Sequence, residues 1–148
     1  MTTTPDPFYD FTVHVKESLG ADRCTFWIVD RERRDVWAKV ALGLEGEDLR
    51  VPMHRGVVGY VARTGQPLRL KDVYNDPRFD RTVDQRTGYR TKSLLTMAVR
   101  NQQRAVLAVL QALNKASGPF DENDEARMVQ FCQEAADLLD REGIPSPN

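Results

Sequence analysis

Residues 94–113 read LLTMAVRNQQRAVLAVLQAL: two apolar runs, at 94–100 and 104–113, joined by the polar turn Asn101-Gln102-Gln103. Runs of this length that are rich in apolar residues and joined by a short polar turn predict a β-hairpin. Both runs are apolar on both faces, which is typical of strands that are covered on each side of a sheet. The stretch therefore predicts two central strands.

Outward from this hairpin, the chain predicts further strands and helices. Alternating or short apolar runs predict strands at residues 23–29, 36–42, 49–53 and 67–70. Apolar residues spaced three and four apart predict helices at residues 8–19, 56–63 and 121–142. This order predicts the fold class α+β: an antiparallel sheet of about six strands, with the N- and C-terminal helices on one face and a ligand-capping lid on the other.

The lid is the segment at residues 71–92. It is polar and rich in turn residues, and it is much longer than an ordinary connection of about 4–6 residues. Long loops of this kind usually have a function. We therefore expect it to cover a site.

The composition limits the possible functions. Of the 148 residues, 41% are hydrophobic, enough for one domain with a core, and the net charge of −1 gives no long-range attraction to nucleic acid or to an anionic membrane. No apolar run approaches the roughly 20 residues that span a bilayer, and residues 1–6 lack the pattern of a signal peptide. We therefore expect a cytoplasmic protein.

Cys24 and Cys132 lie among apolar neighbours, which predicts buried free thiols, and no metal-ligand spacing is present.

A motif follows the last predicted strand: Asn114-Lys115, then Phe120, then Asp124-Glu125. It resembles the Asn-Lys…Phe-x-x-x-Asp-Glu motif of the cyclic-nucleotide-binding GAF domains of mammalian phosphodiesterases and bacterial adenylyl cyclases. Residues 83–93, VDQRTGYRTKS, resemble the segment that closes over the nucleotide in the same family. The resemblance covers about residues 20–140 and implies a single GAF domain over residues 1–148, with residues 1–6 and 143–148 as flexible ends.

The turn Gly-Val-Val-Gly at residues 56–59 offers a place for the phosphate of a nucleotide. Backbone N–H groups at a helix N-terminus bind an anion without any side chain. The resemblance implies that Val57 and Val58 contact the phosphate and ribose through their main chain. By residue type alone, the two valines fit core residues of a short helix, and that alternative stays open.

In the lid, Asp84, Thr87 and Thr91 are three and four residues apart, so one or two helical turns would place them on one face. The resemblance implies that these side chains hold the purine edge and the ribose phosphate. The alternative is that Asp84 or Thr87 caps a surface turn, as such residues commonly do.

Thr25 in the first strand and Gln111 in the last are polar interruptions of apolar runs. A buried polar side chain needs a hydrogen-bond partner, and a purine edge provides one. The resemblance implies that both residues contact the base or lie near it. Alternation places Gln111 on one face with Leu107 and Val109, and we expect that face to point inward rather than to solvent.

The chain departs from the family at Ala41-Leu42, where guanine-specific members often have an aromatic residue followed by Asp. The carboxylate that would accept from guanine N1–H is therefore missing. Gln111 offers an acceptor for the adenine 6-amino group and a donor for adenine N1, which favours cAMP over cGMP. Loss of the aromatic wall leaves open a domain that no longer binds a nucleotide.

The resemblance implies that Lys115 and Asp124 form an ion pair beneath the pocket, tying the last strand to the last helix. The five motif residues are then structural and not ligand contacts: Asn114, Lys115, Phe120, Asp124 and Glu125. An ordinary helix start, with Asp121 as the N-cap, is a compatible alternative.

These features predict a regulatory sensor domain and not an enzyme, with a cyclic nucleotide as ligand and no cofactor. Binding would order the lid and shift the terminal helices, through which we expect a homodimer, and so reach an output domain in a longer chain or in trans. The rival is an interaction module in which Phe8, Phe11, Leu138 and Leu139 form a dimer face without any nucleotide. An enzyme similar to the free methionine sulfoxide reductases is disfavoured, because those proteins use lid cysteines and residues 71–92 contain none.

Overall fold

The structure is a computed structural model that describes residues 6–147. The expectations for residues 1–5 and 148, a flexible end on each side and the missing signal-peptide pattern, lie outside the described residues. Asp6 has an ordered role, because its carboxylate accepts a hydrogen bond from the backbone N–H of Phe8 (3.0 Å) and caps the first helix.

The described residues contain an antiparallel sheet of six strands. These are β1 (Ala21–Asp30), β2 (Asp35–Leu42), β3 (Arg50–Pro52), β4 (Leu68–Leu70), β5 (Leu94–Arg100) and β6 (Val106–Lys115). Their order is β3-β2-β1-β6-β5-β4, with antiparallel neighbours throughout. The predicted sheet is confirmed, but its central pair is β1 with β6, and β5 lies one position further out. Because β5 is nonetheless covered on both faces, its sequence looks like that of a central strand.

Within residues 6–147, four α-helices accompany the sheet: α1 (Pro7–Leu19), α2 (Gly56–Thr64), α3 (Thr82–Thr87) and α4 (Glu122–Glu142). As predicted, α1 ends at Gly20, whose left-handed φ of 64° suits glycine. Asp121 and Asp124 form a capping box at the start of α4, in which each carboxylate accepts a hydrogen bond from the backbone N–H of the other.

Each face of the sheet has its own core. The helix-side core lies between the sheet and helices α1 and α4, and the lid-side core lies between the sheet, α2 and the lid. This arrangement confirms the predicted layers. Cys24 and Cys132 are free and buried in the helix-side core, where burial raises the pKa of each thiol to about 12.

The residues considered for a dimer face belong to the helix-side core. Phe8, Leu138 and Leu139 are buried there, and Phe11 packs edge-on against Phe26. Their three- and four-residue spacing therefore reflects packing against the chain's own sheet. The assignment of Phe8, Leu138 and Leu139 to a dimer face is wrong, whereas Phe11 is only partly buried.

A β-bulge interrupts the alternation in β6. Val99 pairs with Ala108 and Arg100 pairs with Val106, so Leu107 is an extra residue without a partner in β5. Leu107 consequently packs on the helix side, whereas strict alternation places it on the lid side with Val109. Beyond the bulge the alternation is regular.

Candidate functional site

A cavity of about 90 Å³ lies between the sheet and the lid. Its walls come from β1, β6, the start of α2 and the lid. Six of the seven predicted ligand-binding residues border it: Thr25, Val57, Val58, Asp84, Thr91 and Gln111. The structure thus brings together residues from four separate parts of the chain, and it leaves out only Thr87.

Two residues of the cavity floor, Thr25 and Gln111, belong to one row of paired residues in the sheet. Thr25 pairs with Gln111 in the β1–β6 register, and the row continues to Ala41 on one side and Thr96 on the other. Thr25 is 4% exposed and Gln111 is 8% exposed, and both border the cavity, which confirms the inward orientation of Gln111. Ala41 beside Thr25 offers no side-chain acceptor.

Trp27 lies two residues after Thr25 in β1 and borders the same cavity. Its indole Nε1–H donates a hydrogen bond to Gln111 Oε1 at 3.3 Å, and both side chains are buried. Sequence reasoning missed this contact, because 84 residues separate the partners. The one available signal was that alternation places Trp27 on the face of Thr25.

Helix α2 begins at the cavity wall, and no side chain caps its N-terminus. Gly56 has a left-handed φ of 79°, and a Cβ at Gly59 would lie 2.8 Å from the backbone oxygen of Met53, so both positions require glycine. Val57 and Val58 border the cavity and also belong to the lid-side core. The core alternative for the two valines is therefore correct, and it leaves their backbone N–H groups at an uncapped helix start.

Arg55 and Asp80 form an ion pair at the edge of the cavity. The Arg55 Nε atom lies 3.4 Å from Asp80 Oδ2, and both residues border the cavity. Asp80 belongs to the lid, so the pair links the lid to the start of α2. Sequence reasoning did not single out either residue, since both types are common on loop surfaces.

Asp84 joins three parts of the lid. Its Oδ2 accepts hydrogen bonds from the Tyr74 hydroxyl (2.7 Å) and the Thr91 backbone N–H (2.8 Å), and its Oδ1 accepts from the Thr91 hydroxyl (2.9 Å). The residue is 7% exposed, so these bonds are sheltered from water. The carboxylate thus has a structural role within the lid that the sequence did not reveal.

Thr87 is a correction to the predicted site. Its hydroxyl donates to the backbone oxygen of Val83 (2.8 Å) and accepts from the backbone N–H of Tyr89 (3.3 Å). Because α3 ends at Thr87, where Gly88 has a left-handed φ of 78°, Thr91 is not on that helix. The prediction that Asp84, Thr87 and Thr91 share one helical face is therefore wrong. Thr87 instead caps a turn, which was the alternative interpretation.

Asn114 closes the C-terminal end of the lid, a role that sequence reasoning missed. Its Oδ1 accepts from the backbone N–H groups of Lys92 (2.6 Å) and Ser93 (3.1 Å). Its Nδ2 donates to the Tyr89 hydroxyl (2.8 Å) and to the Arg90 carbonyl (2.9 Å). Asn114 has a φ of 55°, a conformation that asparagine adopts more readily than most residues.

Tyr89 connects the lid to β1. Its hydroxyl donates to Asp22 Oδ2 (2.7 Å), and the Arg23 guanidinium lies 3.6 Å from the ring centre. Burial and the hydrogen bond to Asp22 raise the pKa of the Tyr89 phenol. The phenol is therefore protonated in the neutral range and can donate its hydrogen bond to Asp22 there.

Lys115 and Asp124 form the predicted ion pair. Lys115 Nζ donates to Asp124 Oδ2 at 2.6 Å, and the Asp124 side chain is 5% exposed. The same oxygen accepts from the Asp121 backbone N–H (2.9 Å), so the ion pair and the helix cap exist together. The hydrogen bond to Asp124 raises the pKa of Lys115.

The other two motif residues are also structural: Phe120 lies in the helix-side core, and Glu125 Oε1 lies 4.0 Å from Arg69 Nε.

No three His, Cys, Asp or Glu side chains within residues 6–147 are grouped so that they could hold a metal ion. None of the helices in this range combines the length and the apolar character needed to cross a membrane.

Comparison with known proteins identifies a family, and a phosphodiesterase is among the matching sequence relatives. A family model described as GAF domain matches residues 6–139. Dual 3',5'-cyclic-AMP and -GMP phosphodiesterase 11A of Takifugu rubripes is 35% identical over 136 residues, which cover 83% of this chain and 15% of that protein. The chain therefore spans only a small part of this relative.

Two solved structures illustrate the fold. The GAF domain from a phosphoenolpyruvate-protein phosphotransferase of Coxiella burnetii has a TM-score of 0.77 at 23% identity, covering 89% of this chain and 81% of that chain. Free methionine-R-sulfoxide reductase from Neisseria meningitidis, in complex with its substrate, has a TM-score of 0.75 at 19% identity, covering 89% and 75%. At these identities the likeness concerns the fold alone.

Proposed function

The chain belongs to the GAF domain family, and on that basis we propose that it is a regulatory sensor that binds a cyclic purine nucleotide, cAMP in preference to cGMP, between the sheet and the lid. The sequence relative carries both cyclic nucleotides in its name, which supports this ligand class. The proposed compartment is the cytoplasm, which suits two free cysteines.

One observation carries the proposal: the largely apolar cavity has polar groups at two places. Gln111 and Thr25 lie on the floor, and the uncapped N-terminus of α2 lies at the wall. A cyclic nucleotide has a purine edge that exchanges hydrogen bonds and a singly charged phosphate that backbone N–H groups can hold. The two places match these two parts.

The size of the cavity supports a moving lid. Ligand sites usually enclose about 300–1,000 Å³, whereas this cavity encloses about 90 Å³. Entry of a nucleotide therefore requires the lid to move outward. The contacts that join the lid to the rest of the domain include the Arg55–Asp80 ion pair and the hydrogen bond from Tyr89 to Asp22, and both can break locally.

The proposed signal leaves through Asn114 and Lys115. Asn114 bonds the end of the lid, and the next residue, Lys115, bonds the first turn of α4. A displacement of the lid therefore acts directly on the residue that precedes the ion pair with Asp124. An output domain in a longer chain or in trans would receive the shift of α4.

Two other functions have less support. The dimerisation module loses its proposed apolar face, since Phe8, Leu138 and Leu139 are buried in the chain's own core. An enzyme of the sulfoxide reductase type would need a reactive thiol at the cavity. Cys24 and Cys132 lie in the helix-side core, across the sheet from the cavity.

A homodimer remains part of the proposal, but it must use the outward faces of the terminal helices. Tyr9 on α1 is 46% exposed and Val129 on α4 is 44% exposed. We expect sedimentation velocity to show a dimer at micromolar concentration, and Tyr9→Glu or Val129→Glu to weaken it by burying a charge in the contact. A wild-type monomer at every accessible concentration would remove the dimer from the proposal.

Nucleotide binding is tested by thermal unfolding of the wild-type protein with about 1 mM cAMP or cGMP. At that concentration, a ligand with a Kd of about 10 μM would raise the free energy of unfolding by about 2.7 kcal/mol, which gives a clear increase in melting temperature. We expect cAMP to raise the melting temperature more than cGMP does. Adenosine and 5'-AMP serve as controls, because they share the base of cAMP but lack the cyclic phosphate. If no cyclic nucleotide stabilises the protein, the sensor proposal is wrong.

A further inference from the structure

The side-chain amide of Gln111 has only one acceptor atom, and Trp27 uses it. An indole N–H can donate but cannot accept a hydrogen bond. The bond from Trp27 Nε1 to Gln111 Oε1 therefore determines which end of the amide faces Trp27. If the amide turned over, its NH₂ group would face the indole N–H, and two buried donors would lie opposite each other.

This orientation leaves the Nε2 group of Gln111 for the cavity that the residue borders. Within residues 6–147, no hydrogen bond uses Nε2, and it is not among the buried polar atoms that lack a partner. The neighbouring Thr25 hydroxyl borders the same cavity, and it too makes no hydrogen bond in that range. The cavity floor thus presents one fixed donor beside one hydroxyl that can donate or accept.

We infer that Trp27 is a specificity-determining residue, because it holds Gln111 as a hydrogen-bond donor toward the base. The inference rests on the proposed function and refines it. Adenine N1 is an acceptor and matches the Nε2 donor. Guanine carries a hydrogen on N1, so the same position would place two donors face to face. Without Trp27, the amide could turn and present its oxygen to guanine.

This origin of base selectivity differs from the one expected from the sequence. In the sequence-based expectation, the single amide of Gln111 offers adenine both an acceptor and a donor. In the structure the acceptor Oε1 is turned toward Trp27, so selectivity comes from the Nε2 donor at the other end of the amide. The adenine 6-amino group is left to the Thr25 hydroxyl, which lies directly across the strand pair.

The first test needs no nucleotide. The chain has two tryptophans, so a ¹H–¹⁵N spectrum contains two indole signals, and Trp37→Phe assigns them. We expect the Trp27 indole proton to be protected from solvent exchange and to shift in Gln111→Leu. Fast exchange in the wild type, or no shift in Gln111→Leu, would overturn the inference. This readout remains valid even if no nucleotide binds.

The second test measures the ratio of the cGMP Kd to the cAMP Kd in four proteins. We expect the wild-type ratio to exceed one, and Trp27→Phe to reduce it by about three- to tenfold, the effect of about one hydrogen bond. Trp37→Phe is the matched control, because Trp37 is buried in the helix-side core and does not border the cavity. In Gln111→Glu, the carboxylate replaces the donor by an acceptor, so the preference should move toward cGMP.

The outcomes separate the two proposals. An unchanged ratio in Trp27→Phe, or a wild-type preference for cGMP, overturns the specificity role and leaves the sensor proposal intact. If the wild type binds neither nucleotide, the sensor proposal and the specificity role both fail. In that case a protected indole proton would still establish the hydrogen bond as a structural contact.

Discussion

Replacing Asp84 with alanine is expected to lower the free energy of unfolding by about 3 kcal/mol and to release the lid. The substitution removes the acceptor of both Thr91 hydrogen bonds, and Thr91 is 1% exposed, so its N–H and hydroxyl cannot turn to water instead. A buried donor without a partner costs about 1–3 kcal/mol. Under the sensor proposal, cAMP binding weakens as well, because the lid no longer closes.

Chemical denaturation and amide hydrogen exchange at the lid measure this effect in the absence of ligand. Asp72→Ala is the matched control, since Asp72 is an exposed lid aspartate that bonds only the nearby Asn75. It should change stability by less than about 0.5 kcal/mol. An Asp84→Ala variant as stable as wild type, with the Thr91 amide still protected, would show that Asp84 does not hold the lid together.

This expectation differs from the one that the sequence supports. From sequence, Asp84 is a ligand contact, and lid substitutions should leave the ligand-free protein nearly unchanged. Thr91 becomes a partner of Asp84 only because the chain turns back after α3 at Gly88. Helical spacing cannot reveal such a return, although it selected two residues that do meet.

The layers of the fold could be predicted from the sequence, because they follow from local patterns. Strand alternation, the spacing of apolar residues in α1 and α4, and the end of α1 at Gly20 all agree with the structure. The bulge at Leu107 could not be predicted from the sequence, because an extra residue in one strand is defined only by the partner strand. The position of β5 near the edge was hidden for a similar reason, since burial on both faces depends on what packs over the strand.

Part of the candidate site could be predicted from the sequence. Family resemblance supplied Thr25, Gln111 and the Lys115–Asp124 pair, and the structure places the first two on the floor of one cavity. The contacts that orient these groups join residues far apart in the chain. Trp27 reaches Gln111 across 84 residues, and Asn114 reaches the lid across more than 20. Composition and spacing within a segment contain no information about such pairs.

Replacing Lys115 with alanine is expected to lower the melting temperature by about 10 °C, because the Asp124 carboxylate then stays buried without its cation. Asp124 keeps its hydrogen bond from the Asp121 backbone, so α4 should still form, and the loss should appear in the attachment of α4 to β6. Arg69→Ala is the matched control: Arg69 pairs at 4.0 Å with Glu125, also in the first turn of α4, but both side chains are partly exposed. Its melting temperature should change by no more than about 2 °C.

The pH dependence provides an independent check of the same ion pair. The bond to Asp124 raises the pKa of Lys115 above the ordinary lysine value of 10.5. A group whose pKa is raised on folding stabilises the folded state fully below its unfolded pKa and loses that effect as the pH rises through its folded pKa. The stability difference between wild type and Lys115→Ala should therefore be constant below about pH 10 and shrink at higher pH. A difference that persists unchanged at higher pH would mean that lost packing of the lysine side chain, and not the ion pair, joins the last strand to the last helix.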